Sequence, residues 1–123
     1  MASEGDPRDL RERTKHLALE IVRVYGDLPK TTEALVMGRQ LLRCGTSVGA
    51  HYREGMRARS PAEFISKLEG GLQELEETAY WLELMQEAPV SGDPRLRDLR
   101  REVDELIAMF VASVRTTKSR SRR

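Results

Sequence analysis

Apolar residues in this chain recur three and four positions apart, in four separate blocks, and nowhere alternate one by one. That spacing puts them on one side of a helix, whose repeat is 3.6 residues, and is out of phase with a strand. Leu10, Thr14, Leu17, Ile21, Val24 and Leu28 form the first stripe, and Ala34, Met37, Leu41, Gly45, Val48, Tyr52 and Met56 the second. Phe64, Leu68, Gly71, Leu72, Leu75, Ala79, Leu82 and Met85 form the third, and Leu96, Leu99, Val103, Leu106, Phe110 and Val114 the fourth. A narrow stripe is buried only against other stripes. Four such helices with short links predict an all-α, antiparallel up-down four-helix bundle.

The breaks between blocks carry their own chemistry. Asp6-Pro7 reads as a cap and first-turn proline, and Asp27-Leu28-Pro29 ends the first helix. The second starts at Thr31 or Thr32 and runs to about Ala58. Ser60-Pro61-Ala62-Glu63 reads as a capping box opening a helix that runs to about Glu87. Asp93 and Pro94 then cap and open the fourth. Residues 1–6 and 115–123 have no stripe to bury, so disorder is expected at both ends of a bundle spanning 7–114. Gly38, Gly45, Gly49 and Gly55 weaken an exposed helix by about 1 kcal/mol each relative to alanine. They signal either close approach by a neighbouring helix or a kink.

With 123 residues, 39% hydrophobic and only 5% aromatic, the chain makes one domain whose core is built of Leu, Val, Ile, Ala and Met. No apolar run is long enough to cross a membrane, and residues 1–9 lack the apolar centre of a signal peptide. The single Cys44 forms no internal disulfide and is expected to be buried and inert, which fits a cytoplasmic protein. The formal charge of +1 hides an asymmetry. Arg115, Lys118, Arg120, Arg122 and Arg123 cluster at the end, and the remainder carries 16 basic and 20 acidic side chains. A basic end of this kind either contacts RNA or DNA or serves solubility.

No catalytic, cofactor-binding or metal-ligating set emerges. Di-metal bundles need Glu three residues before His, and here Arg13 precedes His16 and Val48 precedes His51. Arg39, Arg43, Arg53 and Arg57 share the outward face of the second helix, while Glu69, Glu76, Glu83 and Glu87 repeat every seven or four residues on the third. These stripes are open to three readings: solvated faces, contacts with a neighbouring subunit, or, for the arginines, an anion-binding stripe. Trp81 and Leu84 lie off the third core stripe, which suits an oligomer interface with Glu76 and Glu83 beside them, or cover from another helix of the same subunit. Ser47, His51 and Glu54 share one flank of the second helix and read as a polar network locking it to the third.

Thr46-Ser47-Val48-Gly49-Ala50-His51-Tyr52-Arg53-Glu54-Gly55, then Arg57 or Arg59, Ser60, Phe64, Lys67-Leu68 and Glu74, resemble the bacterial four-helix bundle proteins also called 23S rRNA intervening-sequence proteins. Their pattern is approximately S-I-x-A-N-x-x-E-G followed by Arg, Ser and Phe, and His51 stands where the family usually has Asn. The resemblance adds Ser60 and Glu74 to the polar set. It implies a ring-like homo-oligomer, a pentamer, and kinship with accessory variability determinants of diversity-generating retroelements, which work with a reverse transcriptase and nucleic acid. The resulting expectation is a non-enzymatic oligomeric scaffold that binds nucleic acid or a nucleic-acid enzyme. The alternative is a protein–protein adaptor with no nucleic-acid role.

Overall fold

Each of the middle two helices begins at a hydroxyl that replaces a missing backbone partner. Thr31 Oγ1 accepts from the Ala34 N–H at 3.2 Å, and Ser60 Oγ accepts from the Glu63 N–H at 3.1 Å. The computed structural model describes residues 7–122, with side chains from Leu10 onward. It contains α1 (Pro7–Gly26), α2 (Thr32–Met56), α3 (Pro61–Glu87) and α4 (Arg95–Ser121), and no strand among the described residues. The expected disorder of residues 1–6 lies outside the described residues. The Ser60 cap forms, but the reciprocal bond of the capping box does not: the exposed Glu63 side chain stays in water. At α4, the Asp93 carboxylate accepts from the Arg95 N–H at 2.9 Å, so it caps a helix starting one residue later than expected.

Side-chain contacts fix the topology. Going up α2, Gly38 meets Tyr25 and Leu28, Gly45 meets Ile21, and Gly49 meets Thr14. Numbers fall along α1 as they rise along α2, so the two run antiparallel. Cys44 meets Thr78 and Gly55 meets Leu68, which sets α2 against α3 in the same sense. Gly71 meets Phe110 and Gln86 meets Arg100, which does the same for α3 and α4. Each helix backbone runs close to its two neighbours around the bundle, and the diagonal helices meet only through core side chains, as Tyr52 of α2 meets Phe110 of α4. The α2/α3 seam is the most extensive and the α1/α4 seam the least. Arg13 fastens that weakest seam through a two-pronged grip on Glu102, at 2.6 and 3.0 Å.

The glycines of α2 are therefore close-approach positions. A methyl at Gly45 would run into Ile21 Cδ1, and one at Gly55 would stand 2.6 Å from Leu68 Cδ1. The helix is continuous through all four glycines, from Thr32 to Met56. The core follows the four stripes: Leu17, Ile21, Leu41, Val48, Leu75, Leu82, Leu106 and Phe110 are all buried. Tyr52 and Phe110 pack ring to ring at 5.9 Å. Met56 departs from its stripe and is 50% exposed, because Leu68 and Phe64 close over Gly55 and turn the next residue outward.

The largest departure is at the C-terminal end. The helix does not stop at Val114; it continues seven residues, to Ser121. Thr117 and Ser121 bond back to the carbonyls of Ser113 and Thr117, both at 2.9 Å, and Lys118 reaches Glu69 of α3 at 3.2 Å. An acidic partner on α3 holds this segment where no apolar stripe exists, although four of its seven residues are Thr or Ser.

Candidate functional site

The motif-bearing stretch of α2 lies along the α2/α3 seam, but its polar residues do not form one network. Ser47 Oγ turns back on its own helix, donating to the Arg43 carbonyl at 2.8 Å. Glu54 pairs across the seam with Lys67 at 3.2 Å, and both are solvent-accessible. Ser60 serves only as the α3 cap. His51 lies against Gly70, and its Nδ1 is buried without a partner. Glu74 Oε2 is also buried without a hydrogen bond, with the Arg43 guanidinium 3.6 Å away. The expected lock is therefore split: Glu54–Lys67 at one level and Arg43 with Glu77 and Glu74 at another, with His51 Nδ1 and Glu74 Oε2 left without a hydrogen bond.

Cys44 is fully buried beneath this seam. Its thiol donates to the Leu41 carbonyl at 3.6 Å and sits 3.2 Å from Thr78 Oγ1, which donates to the Glu74 carbonyl at 2.7 Å. Burial pushes the thiol pKa above its ordinary value, so the reactive thiolate is disfavoured. Among the described residues, no group of three or more His, Cys, Asp or Glu is placed to hold a metal ion. No helix there is long and apolar enough to cross a membrane.

The arginines of α2 are exposed, as their spacing requires. Arg43 is tied down by Glu77 and Glu74 of α3. Arg39, Arg53 and Arg57 face solvent and pair with no carboxylate among the described residues. The fold then adds something absent from the linear order. Because α2 and α4 run in the same direction, both end at one pole, where Gly55, Met56, Ser60, Phe64 and Thr117 line a common depression. Arg53, Arg57 and Arg59 thus share an end of the bundle with Arg120 and Arg122, all exposed. Arg115 and Lys118 stand slightly back, in a shallow groove of about 330 Å³ shared with Glu69 and Glu76 of α3. Arg123 lies outside the described residues.

The opposite pole is neutralised internally. Arg95 grips Asp93 at 2.6 Å and Asp27 at 2.8 Å, joining the end of α1 to the start of α4. The hydrogen bond from Arg95 holds the Asp93 carboxyl below its ordinary pKa. Neither this clamp nor that of Arg13 is legible in the sequence, where the partners stand tens of residues apart.

Trp81 is half-buried against the core, and its Nε1–H donates to Glu77 at 3.3 Å. Leu84 is also half-buried, and Glu76 and Glu83 are exposed. Cover from the same subunit thus accounts for much of Trp81. The more exposed apolar side chains are others: Tyr80, stacked edge-on against Trp81 at 5.2 Å and 55% exposed, with Leu19, Val22 and Val36. Tyr80 lies off the α3 core stripe and was legible on that ground.

A crystal structure from Bacteroides thetaiotaomicron, described as a protein of unknown function from the S23 ribosomal protein family, resembles this fold with a TM-score of 0.81. The two are 31% identical over 89% of this chain and 97% of that one. No curated protein matches. The profile of the 23S rRNA-intervening sequence protein family matches residues 8–112, nearly the whole bundle. The chain belongs to the 23S rRNA-intervening sequence protein family.

Proposed function

We propose that this protein is a self-associating helical scaffold, not an enzyme, that holds nucleic-acid backbone at its basic pole. The observation that carries this reading is the convergence of Arg53, Arg57 and Arg59 with Arg120 and Arg122 at one end of the bundle. Exposed guanidinium groups without internal partners suit phosphate, which accepts their forked donors. Phosphate contacts position a nucleic acid without reading its sequence. A reverse transcriptase or another nucleic-acid enzyme would meet the same strand on such a scaffold. Exposed Tyr80, Leu19, Val22 and Val36 support association between copies, closing as a ring that the family resemblance implies to be a pentamer. A cytoplasmic setting suits both the single buried thiol and this role.

The test is anisotropy with labelled RNA and DNA across a salt series, using Arg53→Gln/Arg57→Gln and Arg120→Gln/Arg122→Gln. Charge variants are preferable to truncation because residues 115–121 belong to α4. Affinity should fall with salt, and each phosphate contact removed should flatten the log–log slope by about 0.7–0.9. Equal binding by all variants, or none at low salt, refutes the basic pole, and the second outcome leaves the protein–protein adaptor as the better reading. Light scattering checks assembly separately; a monomer at tens of micromolar removes the ring.

A further inference from the structure

The α2/α3 seam contains two buried polar atoms, His51 Nδ1 and Glu74 Oε2, that no protein group satisfies. Buried polar atoms in folded proteins are nearly always hydrogen-bonded, so a pair of orphans on one seam needs a physical explanation. In register along the seam they stand about one helical turn apart. The imidazole lies against Gly70, with Nδ1 2.9 Å from where a Cβ at that position would stand. Glu74 is four residues further on, one turn along the same face of α3. Helical side chains lean toward the N-terminus of their own helix. In an antiparallel pair this tilts His51 toward the level of Glu74, and Glu74 toward that of Gly70.

The surrounding groups are already committed. Ser47 bonds to its own helix, and Cys44 and Thr78 bond to carbonyls. Glu77 takes the Arg43 guanidinium, whose Nη1 stays 3.6 Å from Glu74 Oε2. That separation is an ion-pair distance but too long for a hydrogen bond, so the carboxylate oxygen can still accept one. Both orphans are acceptors when His51 is neutral with its proton on Nε2. A donor with two protons is required between them.

We propose that one internal water occupies this gap, donating to His51 Nδ1 and to Glu74 Oε2. Its oxygen can accept from Arg43, which gives it the two to four polar partners that buried waters have. The missing side chain at Gly70 makes room for the imidazole beside it: a methyl there would meet Nδ1 and Cε1 at 2.9 and 3.0 Å. The water thereby joins the motif residue of α2 to the motif carboxylate of α3, which share no direct bond.

A crystal structure of the full chain at a resolution that shows ordered water, with long-range proton–nitrogen correlation spectra of His51 in solution, tests this. The expected result is a single water within hydrogen-bond distance of both atoms and His51 protonated on Nε2 alone. His51→Phe, which keeps a ring and removes the acceptor, should lose that water. A direct bond from His51 Nδ1–H to Glu74, or a dry gap, overturns the proposal. The wild-type measurements decide the matter even if the variant does not fold.

Discussion

Gly71→Ala sets two opposing effects against each other at a position where the structure decides the winner. Replacing a mid-helix glycine by alanine favours the helix by about 1 kcal/mol. Here the new methyl would stand 2.8 Å from Phe110 Cε2 and 3.3 Å from His51 Cβ. Carbon atoms in contact prefer about 3.5–4.0 Å, so the ring must retreat by roughly 1 Å. Phe110 is fully buried and packed against Tyr52, itself 2% exposed, so neither can give way into solvent. Overpacking a tight core costs about 1–3 kcal/mol. The net expectation is a loss of about 1 kcal/mol, read as a lower urea midpoint by circular dichroism at fixed protein concentration, with an unchanged slope. Gly26→Ala is the control: its methyl meets nothing within 4 Å, and it should stabilise by about 0.4–1 kcal/mol. Adding Phe110→Leu to Gly71→Ala should cost less than the two changes separately, because the leucine relieves the clash. A Gly71→Ala variant that is more stable than the wild type, or costs that simply add, would refute the close-packing argument.

Three further outcomes are expected. Ser60→Ala removes the acceptor of the Glu63 N–H and should cost about 1 kcal/mol; an unmoved denaturation midpoint would mean the cap contributes nothing. Arg95 lowers the Asp93 pKa below its ordinary 3.8, so the ionised carboxylate stabilises the fold above that pH and the contribution is lost as pH falls through the lowered value. The stability gap between wild type and Asp93→Asn should accordingly be constant near neutrality and shrink below about pH 4; a gap independent of pH down to 2 contradicts the clamp. Cys44 is fully buried with a raised pKa, so an aromatic disulfide reagent should label it only as fast as the bundle opens, and at once in denaturant; immediate labelling of the native protein would place the thiol elsewhere.

Much of the fold was legible because its signals are local. A stripe at three- and four-residue spacing, a Ser before Pro61, a Thr before α2 and an Asp before α4 each act within a turn or two of chain; the Thr31, Ser60 and Asp93 bonds form, with α4 starting one residue later than expected. The sequence also showed that the arginines of α2 share an outward face, since that follows from helical phase alone. It left open whether the glycines of α2 mark a kink or a contact. Both readings are consistent with the composition, and only the presence of Ile21, Tyr25 and Leu68 against them chooses.

What only the tertiary structure decided depends on register between helices, which no local pattern carries. The basic end of the chain looked like a tail because it has no apolar stripe, yet α3 presents Glu69 to Lys118 and the helix continues to Ser121. The motif residues His51 and Glu74 looked like members of one bonded network. The antiparallel seam instead leaves one atom of each without a protein hydrogen bond, while Arg43 bonds to Glu77 and only approaches Glu74. Arg95 finds Asp27, and Arg13 finds Glu102, across distances that only packing closes. The two arginine groups at one pole meet for the same reason: helices of like direction end together, and composition says nothing of direction.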